Sequence, residues 1–268
     1  MSNATITSLA RGLREWATRD GQRRFLHDEQ LRQLQHALDT PGRRTQANVA
    51  AWMLGTYHLG HGFLRVFDGD AEGFDEARLG QSLRRASLLA RMRGAAAPAR
   101  GRRRKLPFSL LHGAWTVLLG LGLRDPDAEP LFELWLDLPD VMFGEQDTLP
   151  LFARELIALQ RGRRVRVSSR LGPFQNVLQR FDGDPQQLAR DLAELLDWHL
   201  AEARGGSSAL DDPACRVYPF EVMAVRDVRE WRELPMPRVE HPLMFTNLAQ
   251  MEPRTPWPRD ELVRRLMR

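Results

Sequence analysis

Cysteine, lysine and long apolar runs are what this 268-residue sequence most lacks. Cys215 is its only cysteine, which excludes an internal disulfide framework. No run approaches the roughly 18 uncharged apolar residues that a membrane-spanning helix needs. The first residues, MSNATITSLARGLREW, do not combine a charged start with an apolar core, as a signal peptide would. These absences predict a cytoplasmic protein with no membrane partner.

Lysine is almost missing, since Lys105 is the only one and arginine supplies the rest of the positive charge. The formal net charge is only +4 at pH 7, from 39 basic and 35 acidic residues. Arginine titrates far above neutrality, so the pI of about 10.1 overstates the charge at pH 7. Such a preference for arginine is more typical of genome base composition than of function. It gives little support to a general nucleic-acid-binding surface.

The charges that are present fall into blocks of one sign. Residues 91–105 contain seven basic residues and no acid, and residues 161–170 contain five arginines. Between them, residues 125–147 contain eight acids and no base. Solvated loops and faces would explain this pattern. This explanation is favoured, and the alternative is a polarised surface that recognises another protein.

Strand signals are scarce as well. Only RVRVSS at residues 164–169 alternates, and it is too short to count. Elsewhere apolar residues recur at helical spacing, as in residues 49–67, 79–92 and 106–123. The pattern predicts an all-α protein, an antiparallel array of about ten helices with no significant sheet. We interpret residues 1–268 as one domain, with a helical half at 1–93, a basic connection at 94–105 and a second helical half at 106–268.

The tetrapeptide FDGD occurs twice, at Phe67–Asp70 and at Phe181–Asp184. The first copy resembles the start of an EF-hand loop, but the twelfth position, which needs a bidentate glutamate, is Leu79. The second copy continues as PQQLARDL and contains no ligand series. Calcium is therefore not expected, and both copies are interpreted as a turn whose last aspartate caps the next helix.

The repeated turn also suggests that a helix–turn–helix unit was weakly duplicated within the chain. The sequence leaves open whether it was. A duplication would require Phe67 and Phe181 to be buried at helix ends, with Asp70 and Asp184 at the start of the next helix.

Residues able to carry catalysis are few. His58 and His61 have the i, i+3 spacing of two metal ligands, but a third ligand is not apparent nearby. Cys215 has no defined activating histidine, so a structural thiol is favoured. A metal-dependent helical enzyme remains an alternative, while the prediction is a protein that is not an enzyme and has no cofactor. Trp257, in TPWPRD, fits either an interface anchor or, the favoured interpretation, a buried aromatic that ties down the tail.

The second half of the chain contains a series of motifs in a recognisable order. Trp115 is followed by LLGLGLRD, EPLFEL and LPLFARELIALQRG, and then by QRFDGDPQQLARDLAELLDWHLAEA and YPFEVMAVRDVREW. In order and spacing this series resembles an all-α family of bacterial immunity proteins, the immunity-protein family 49 type of polymorphic-toxin systems. The resemblance covers roughly residues 106–244.

The resemblance implies a binding protein that neutralises a cognate toxin in the cytoplasm by occluding the toxin's active site. It assigns structural roles to Trp115, Arg124 and Asp125. Trp115 fits a helix core. Arg124 and Asp125 are expected to end one helix and to hold the next by charge-assisted hydrogen bonds.

Two charged segments are candidates for the surface that binds the toxin. The basic candidates are Arg102, Arg103 and Arg104, and the acidic candidates are Asp137, Asp140, Glu145 and Asp147. The acidic segment is favoured because a nuclease toxin would present positive charge. The alternative is a nucleic-acid-binding helical protein that uses residues 102–105 and 161–170, although the acidic block and the lack of a reading motif oppose it. The sequence leaves self-association open.

Overall fold

The structure is a computed structural model that describes residues 3–94, 108–205, 210–252 and 255–268. It confirms the all-α prediction, and the described residues contain no strand. The helices are α1 (Asn3–Thr18), α2 (Asp20–Arg23), α3 (Gln30–Asp39), α4 (Arg44–Phe67), α5 (Gly73–Gly94), α6 (Leu110–Gly122), α7 (Glu129–Leu136), α8 (Thr148–Gln160), α9 (Gln175–Gln179), α10 (Pro185–Gly205), α11 (Phe220–Trp231), α12 (Asn247–Gln250) and α13 (Glu261–Met267). Across these ranges, no helix combines the length and the apolar character needed to cross a membrane.

One main core draws on both halves of the chain. Phe63 of α4 belongs to the same buried cluster as Leu118 of α6, Phe152 of α8 and Val225 of α11. A smaller cluster lies between α3, α4, α5 and α13, and Leu266 from the last helix is buried in it. The C-terminal tail therefore returns to the N-terminal half.

Trp257 is part of this return, as the favoured interpretation of the sequence predicts. Its Nε1 donates a hydrogen bond to Ser82 Oγ at 2.9 Å, and the Arg78 guanidinium lies 5.1 Å from its ring centre. Both partners belong to α5. Trp257 thus attaches the tail to the body of the protein.

Helices α4 and α5 form a hairpin whose axes approach closely because glycines face each other across it. A Cβ on Gly55 would lie 2.7 Å from the Gly80 oxygen, and a Cβ on Gly62 would lie 2.5 Å from the Ala77 nitrogen. Both distances are far below normal contact, and the atoms concerned are backbone. The helices therefore pack backbone to backbone, and side chains at these positions would force them apart.

We expect Gly62→Ala to destabilise the protein by about 1–3 kcal/mol, since overpacking at a backbone contact is hard to relieve. The matched control is Gly12→Ala in α1, where an added Cβ would meet nothing within 4 Å. The control should be neutral or gain up to about 1 kcal/mol from helix propensity. Urea denaturation of both variants measures the difference, and equal stabilities would contradict the close approach.

The two FDGD turns both place an aspartate ahead of a helix. Asp70 Oδ1 accepts the Glu72 amide at 3.0 Å, and Asp184 Oδ1 accepts the Gln186 amide at 3.0 Å. Helix α10 begins directly after Asp184, as predicted. Helix α5 begins only at Gly73, so Asp70 caps an intervening turn rather than the helix itself.

The phenylalanines of the two turns differ in their surroundings. Phe181 is fully buried but lies two residues beyond the end of α9, whereas Phe67 ends α4 and is only partly buried. The expectation that both would be buried at helix ends is therefore met only in part. The duplication stays a prediction.

Candidate interaction surface

Arg124 ends helix α6 in a conformation that usually belongs to glycine. Its φ is +58°, and its amide donates to the Leu121 carbonyl at 2.9 Å. The next amide, of Asp125, donates to the Gly120 carbonyl at 2.8 Å. This is the Schellman pattern of helix termination, in which a left-handed residue satisfies the last carbonyls. The predicted helix end is therefore correct, and an arginine occupies the strained position.

The sequence predicts that Arg124 holds the next helix, α7, but its side chain does not do so. It crosses instead to α11, where Nε lies 3.2 Å from Asp227 Oδ1 and Nη2 bonds to Glu230. Asp125 also turns elsewhere, because its Oδ2 accepts from Arg85 Nε of α5 at 2.8 Å. These two residues therefore join α6 to α11 and α5. The physical reason is that α6 lies in the centre of the fold, with several helices within reach of its end.

A groove of about 530 Å³ lies beside this turn, between α7, the end of α8 and α11. We call it the first groove. Arg161 bonds to Glu129 on its wall and lies 3.6 Å from Glu133. Burial raises the pKa of Asp227 to about 6, although the nearby Arg124 opposes the shift. A carboxylate with a raised pKa beside a groove is a feature of functional sites as well as of structural networks.

Trp231 lies at the edge of the first groove and is 68% exposed. Sequence reasoning missed it, because it follows the buried Val228 by three residues and so continues the apolar stripe of α11. The helix ends at Trp231, and the chain then turns through Glu233 at φ +57°. The indole therefore projects beyond the core. Its sequence context, REWRE, is the one available signal, since charges flank the ring on both sides.

The predicted acidic segment forms the wall of a second groove, of about 480 Å³. Asp140 is paired there with two arginines, Arg154 at 2.6 Å and Arg166 at 2.7 Å. The hydrogen bond from Arg154 and the charge of both arginines lower the pKa of Asp140. Its neighbours along the groove include Asp137 and, from the basic block, Arg163 and Arg164. The second groove is thus mixed in charge, because arginines of residues 161–170 pack against acids of residues 125–147.

The other acidic candidates have separate positions. Asp147 precedes α8, and its Oδ2 accepts the Gly144 amide at 2.6 Å, which stabilises the local turn. Glu145 is exposed in the same turn. The basic candidates Arg102, Arg103 and Arg104, with the rest of the connection from Ala95 onwards, lie outside the described residues.

A third groove, of about 350 Å³, continues the same surface. Its lining includes Arg163 and Arg164, which also line the second groove, together with Arg232, the neighbour of Trp231. The three grooves therefore surround the C-terminal end of α8, with Trp231 in the lining of the first and Arg232 in that of the third. We call this area the α8-end surface.

The histidine pair is engaged within the protein. His58 Nδ1 and His61 Nδ1 lie 3.2 and 2.8 Å from the two carboxylate oxygens of Glu76. Burial alone would raise the pKa of Glu76, but these two hydrogen bonds outweigh it and lower the pKa to about 2. In the described parts of the chain, no group of three or more His, Cys, Asp or Glu side chains is arranged to hold a metal ion.

Cys215 is fully buried. Burial, with the charge of Asp212, raises the pKa of its thiol well above the usual value, so the reactive thiolate is disfavoured. This environment agrees with a structural role for the thiol.

No family model, curated protein or solved structure matches the chain. The resemblance to immunity proteins therefore rests on the sequence motifs alone. The geometry of the α8-end surface is a separate observation, made without reference to any family.

Proposed function

We propose that this protein binds another protein through the α8-end surface, and that the partner is a cognate bacterial toxin whose active site it covers. The observation that carries the proposal is the exposure of Trp231, 68% of its surface, at the edge of the first groove. Tryptophan is enriched among residues that dominate binding energy, because it buries a large area with little loss of conformational entropy.

Two further exposed apolar residues are next in sequence to residues that line the second groove. Six large hydrophobic residues are exposed in the described parts of the chain, and three of them are Trp231, Val141 and Val167. Val141 and Val167 directly follow Asp140 and Arg166, the ion pair of the second groove. Apolar groups set among paired charges are typical of the core and rim of a protein interface.

The arginines of this region fit a protein partner better than a nucleic acid. Three of the five arginines in residues 161–170 make intramolecular bonds. Arg161 pairs with Glu129, Arg166 with Asp140, and Arg170 donates to the Phe143 carbonyl at 2.7 Å. Phosphate binding would require these charges to be available, and the acids beside them would repel a phosphate backbone. We therefore favour the protein partner over the nucleic acid.

We expect Trp231→Ala to weaken binding to the partner by at least about 2 kcal/mol, roughly thirtyfold in Kd. The matched control is Phe25→Ala, which removes another exposed aromatic (54% exposed) that does not line any of the three grooves. Its Kd should be unchanged. Thermal denaturation should show both variants to be folded.

The partner to test is the product of a toxin gene adjacent to the gene for this protein. Co-expression should restore growth, and isothermal titration calorimetry gives Kd for wild type and variants. Failure to bind or to rescue would refute the toxin as partner. Binding that survives Trp231→Ala unchanged would instead refute the α8-end surface as the interface.

A further inference from the structure

The first groove carries an excess of negative charge around Trp231. Two guanidinium groups on its walls share four carboxylates. Arg124 bonds to Asp227 and Glu230, and Arg161 bonds to Glu129 and lies near Glu133. Glu133 lies outside the lining of the groove. The lining itself sets these two positive charges against the three negative charges of Glu129, Asp227 and Glu230, a local excess of −1. Asp125 also lines the groove, but Arg85 already neutralises it.

The groove combines this charge with an apolar floor and an aromatic edge. Leu121 and Phe132 line the floor, and Trp231 provides the edge. An aliphatic stem could lie along the floor while a cationic end remained at the charged wall. The face of an indole attracts a cation placed within about 6 Å of the ring centre.

The groove also offers a buried acceptor. The Oε1 atom of Gln160, at the end of α8, is buried and accepts no hydrogen bond in the described structure. Gln160 belongs to the lining of the groove. If the Gln160 amide turned toward the groove, a donor from an incoming group would remove the cost of leaving this carbonyl oxygen unsatisfied.

We infer that the first groove receives an arginine side chain of the partner protein, held by Asp227, Glu230 and Gln160 and stacked on Trp231. This inference rests on the proposed function and identifies the chemistry that the partner presents. Arginine is chosen over lysine because its planar guanidinium carries five donors, is weakly hydrated and stacks on aromatic rings. Several acceptors set around an aromatic face match that geometry better than a point charge does.

The state of Asp227 supports the inference. Burial raises the pKa of Asp227 to about 6; Arg124 from the end of α6 and Arg226 from α11 lower it, and Glu230 raises it. The cations around the carboxylate therefore do not offset the cost of burying its charge. A second guanidinium would stabilise the ionised form, so the pKa of Asp227 should fall when the groove is filled.

The test uses N-acetyl-L-arginine methylamide as the probe and the citrulline analogue, which has the same shape without the charge, as its control. Heteronuclear NMR follows the indole N–H signals of the seven tryptophans, and Trp231→Phe assigns the relevant one. We expect a saturable shift of the Trp231 signal with the arginine probe and none with citrulline. Glu230→Gln should weaken the probe roughly tenfold, the value of one charge-assisted hydrogen bond. Glu261→Gln, which alters another exposed glutamate paired with an arginine but outside the three grooves, should not.

Equal shifts with the arginine and citrulline probes, or probe binding unaffected by Glu230→Gln, would overturn the inference. The probe experiment needs no partner, so its failure leaves the effect of Trp231→Ala on partner binding as a separate result. Conversely, a probe that binds as expected would stand even if the neighbouring toxin proved not to be the partner.

Discussion

Replacing Glu221 with leucine should cost about 3–5 kcal/mol of stability, the usual effect of breaking a buried ion pair from one side. Glu221 and His199 are both fully buried, and His199 Nδ1 lies 2.9–3.0 Å from both carboxylate oxygens. The other ring nitrogen, Nε2, lies 3.2 Å from the Arg216 carbonyl. Since both nitrogens face acceptors, the imidazole carries both protons when Glu221 is ionised. The leucine variant would leave that charge buried without a partner.

Glu221→Gln is the informative companion to this variant. A glutamine of the same shape can donate to Nδ1 of a neutral imidazole, while Nε2–H still donates to the Arg216 carbonyl. Both hydrogen bonds then persist without either charge, so we expect a much smaller loss than for Glu221→Leu. Chemical denaturation of the two variants at pH 6 gives the comparison. Equal losses would show that packing, not charge pairing, determines the effect.

The same pair predicts how stability depends on pH. Burial alone would lower the pKa of His199, but the charge of Glu221 outweighs burial and raises it above its usual value. A group whose pKa is raised by folding stabilises the protein fully below its unfolded pKa, about 6.5, and loses this stabilisation as pH rises through the folded value. Wild type should therefore lose stability from about pH 6.5 upwards. Glu221→Gln should show a flatter profile, and an identical alkaline decline in both proteins would contradict the assignment.

Arg84→Met is expected to produce a loss of similar size, again about 3–5 kcal/mol. Arg84 is fully buried and bonds to Asp212, whose side chain is almost fully buried as well. The guanidinium also donates to Thr56 Oγ1 at 2.7 Å and lies 4.8 Å from the centre of the Trp52 ring. Methionine would fill much of the space but would leave the Asp212 carboxylate without a counter-charge.

A double-mutant cycle separates the charge from the packing. Asp212→Asn removes the negative charge while keeping the acceptor for the Ala214 amide, which now bonds to Asp212 at 2.9 Å. We expect the double variant Arg84→Met, Asp212→Asn to recover a large part of the loss seen with Arg84→Met alone. Urea denaturation of the four proteins measures the coupling between the two sites. Additive losses would show that the two residues do not interact.

The His199–Glu221 pair lies at the start of α11, whose other end forms part of the α8-end surface. His199 of α10 holds Glu221 at the first turn of α11, and the other end of α11 contributes Asp227, Glu230 and Trp231 to the lining of the first groove. A small shift of α11 would therefore move the whole wall of the first groove. We expect destabilising changes at His199 or Glu221 to weaken partner binding as well, by disturbing the position of Trp231.

Much of the secondary structure could be predicted from local pattern. The apolar spacing in residues 49–67 gives a helix that the structure extends to Arg44–Phe67, and Asp184-Pro185 marks the start of α10. Such features depend on residues within a few turns of one another, and the 3.6-residue period reports them directly.

The local pattern could not show which side chains from distant parts of the sequence contact one another. Arg124 ends its helix as expected, yet its ion pairs lie more than a hundred residues away on α11. The acidic segment was favoured as a single-sign surface, but Asp140 is neutralised by Arg154 and Arg166 once α8 and the following loop pack beside it.

The sequence by itself therefore determined the helices, their ends and the apolar faces that form the core, because these follow from local spacing and capping. Only the tertiary structure decided the charge of each groove and the exposure of Trp231. The physical reason is that charges act on whatever neighbour packing brings within a few ångströms, and a helix end exposes or buries its last residue according to what covers it. The candidate surface belongs to this second class, since its first and third grooves bring residues 227–232 against residues 120–183.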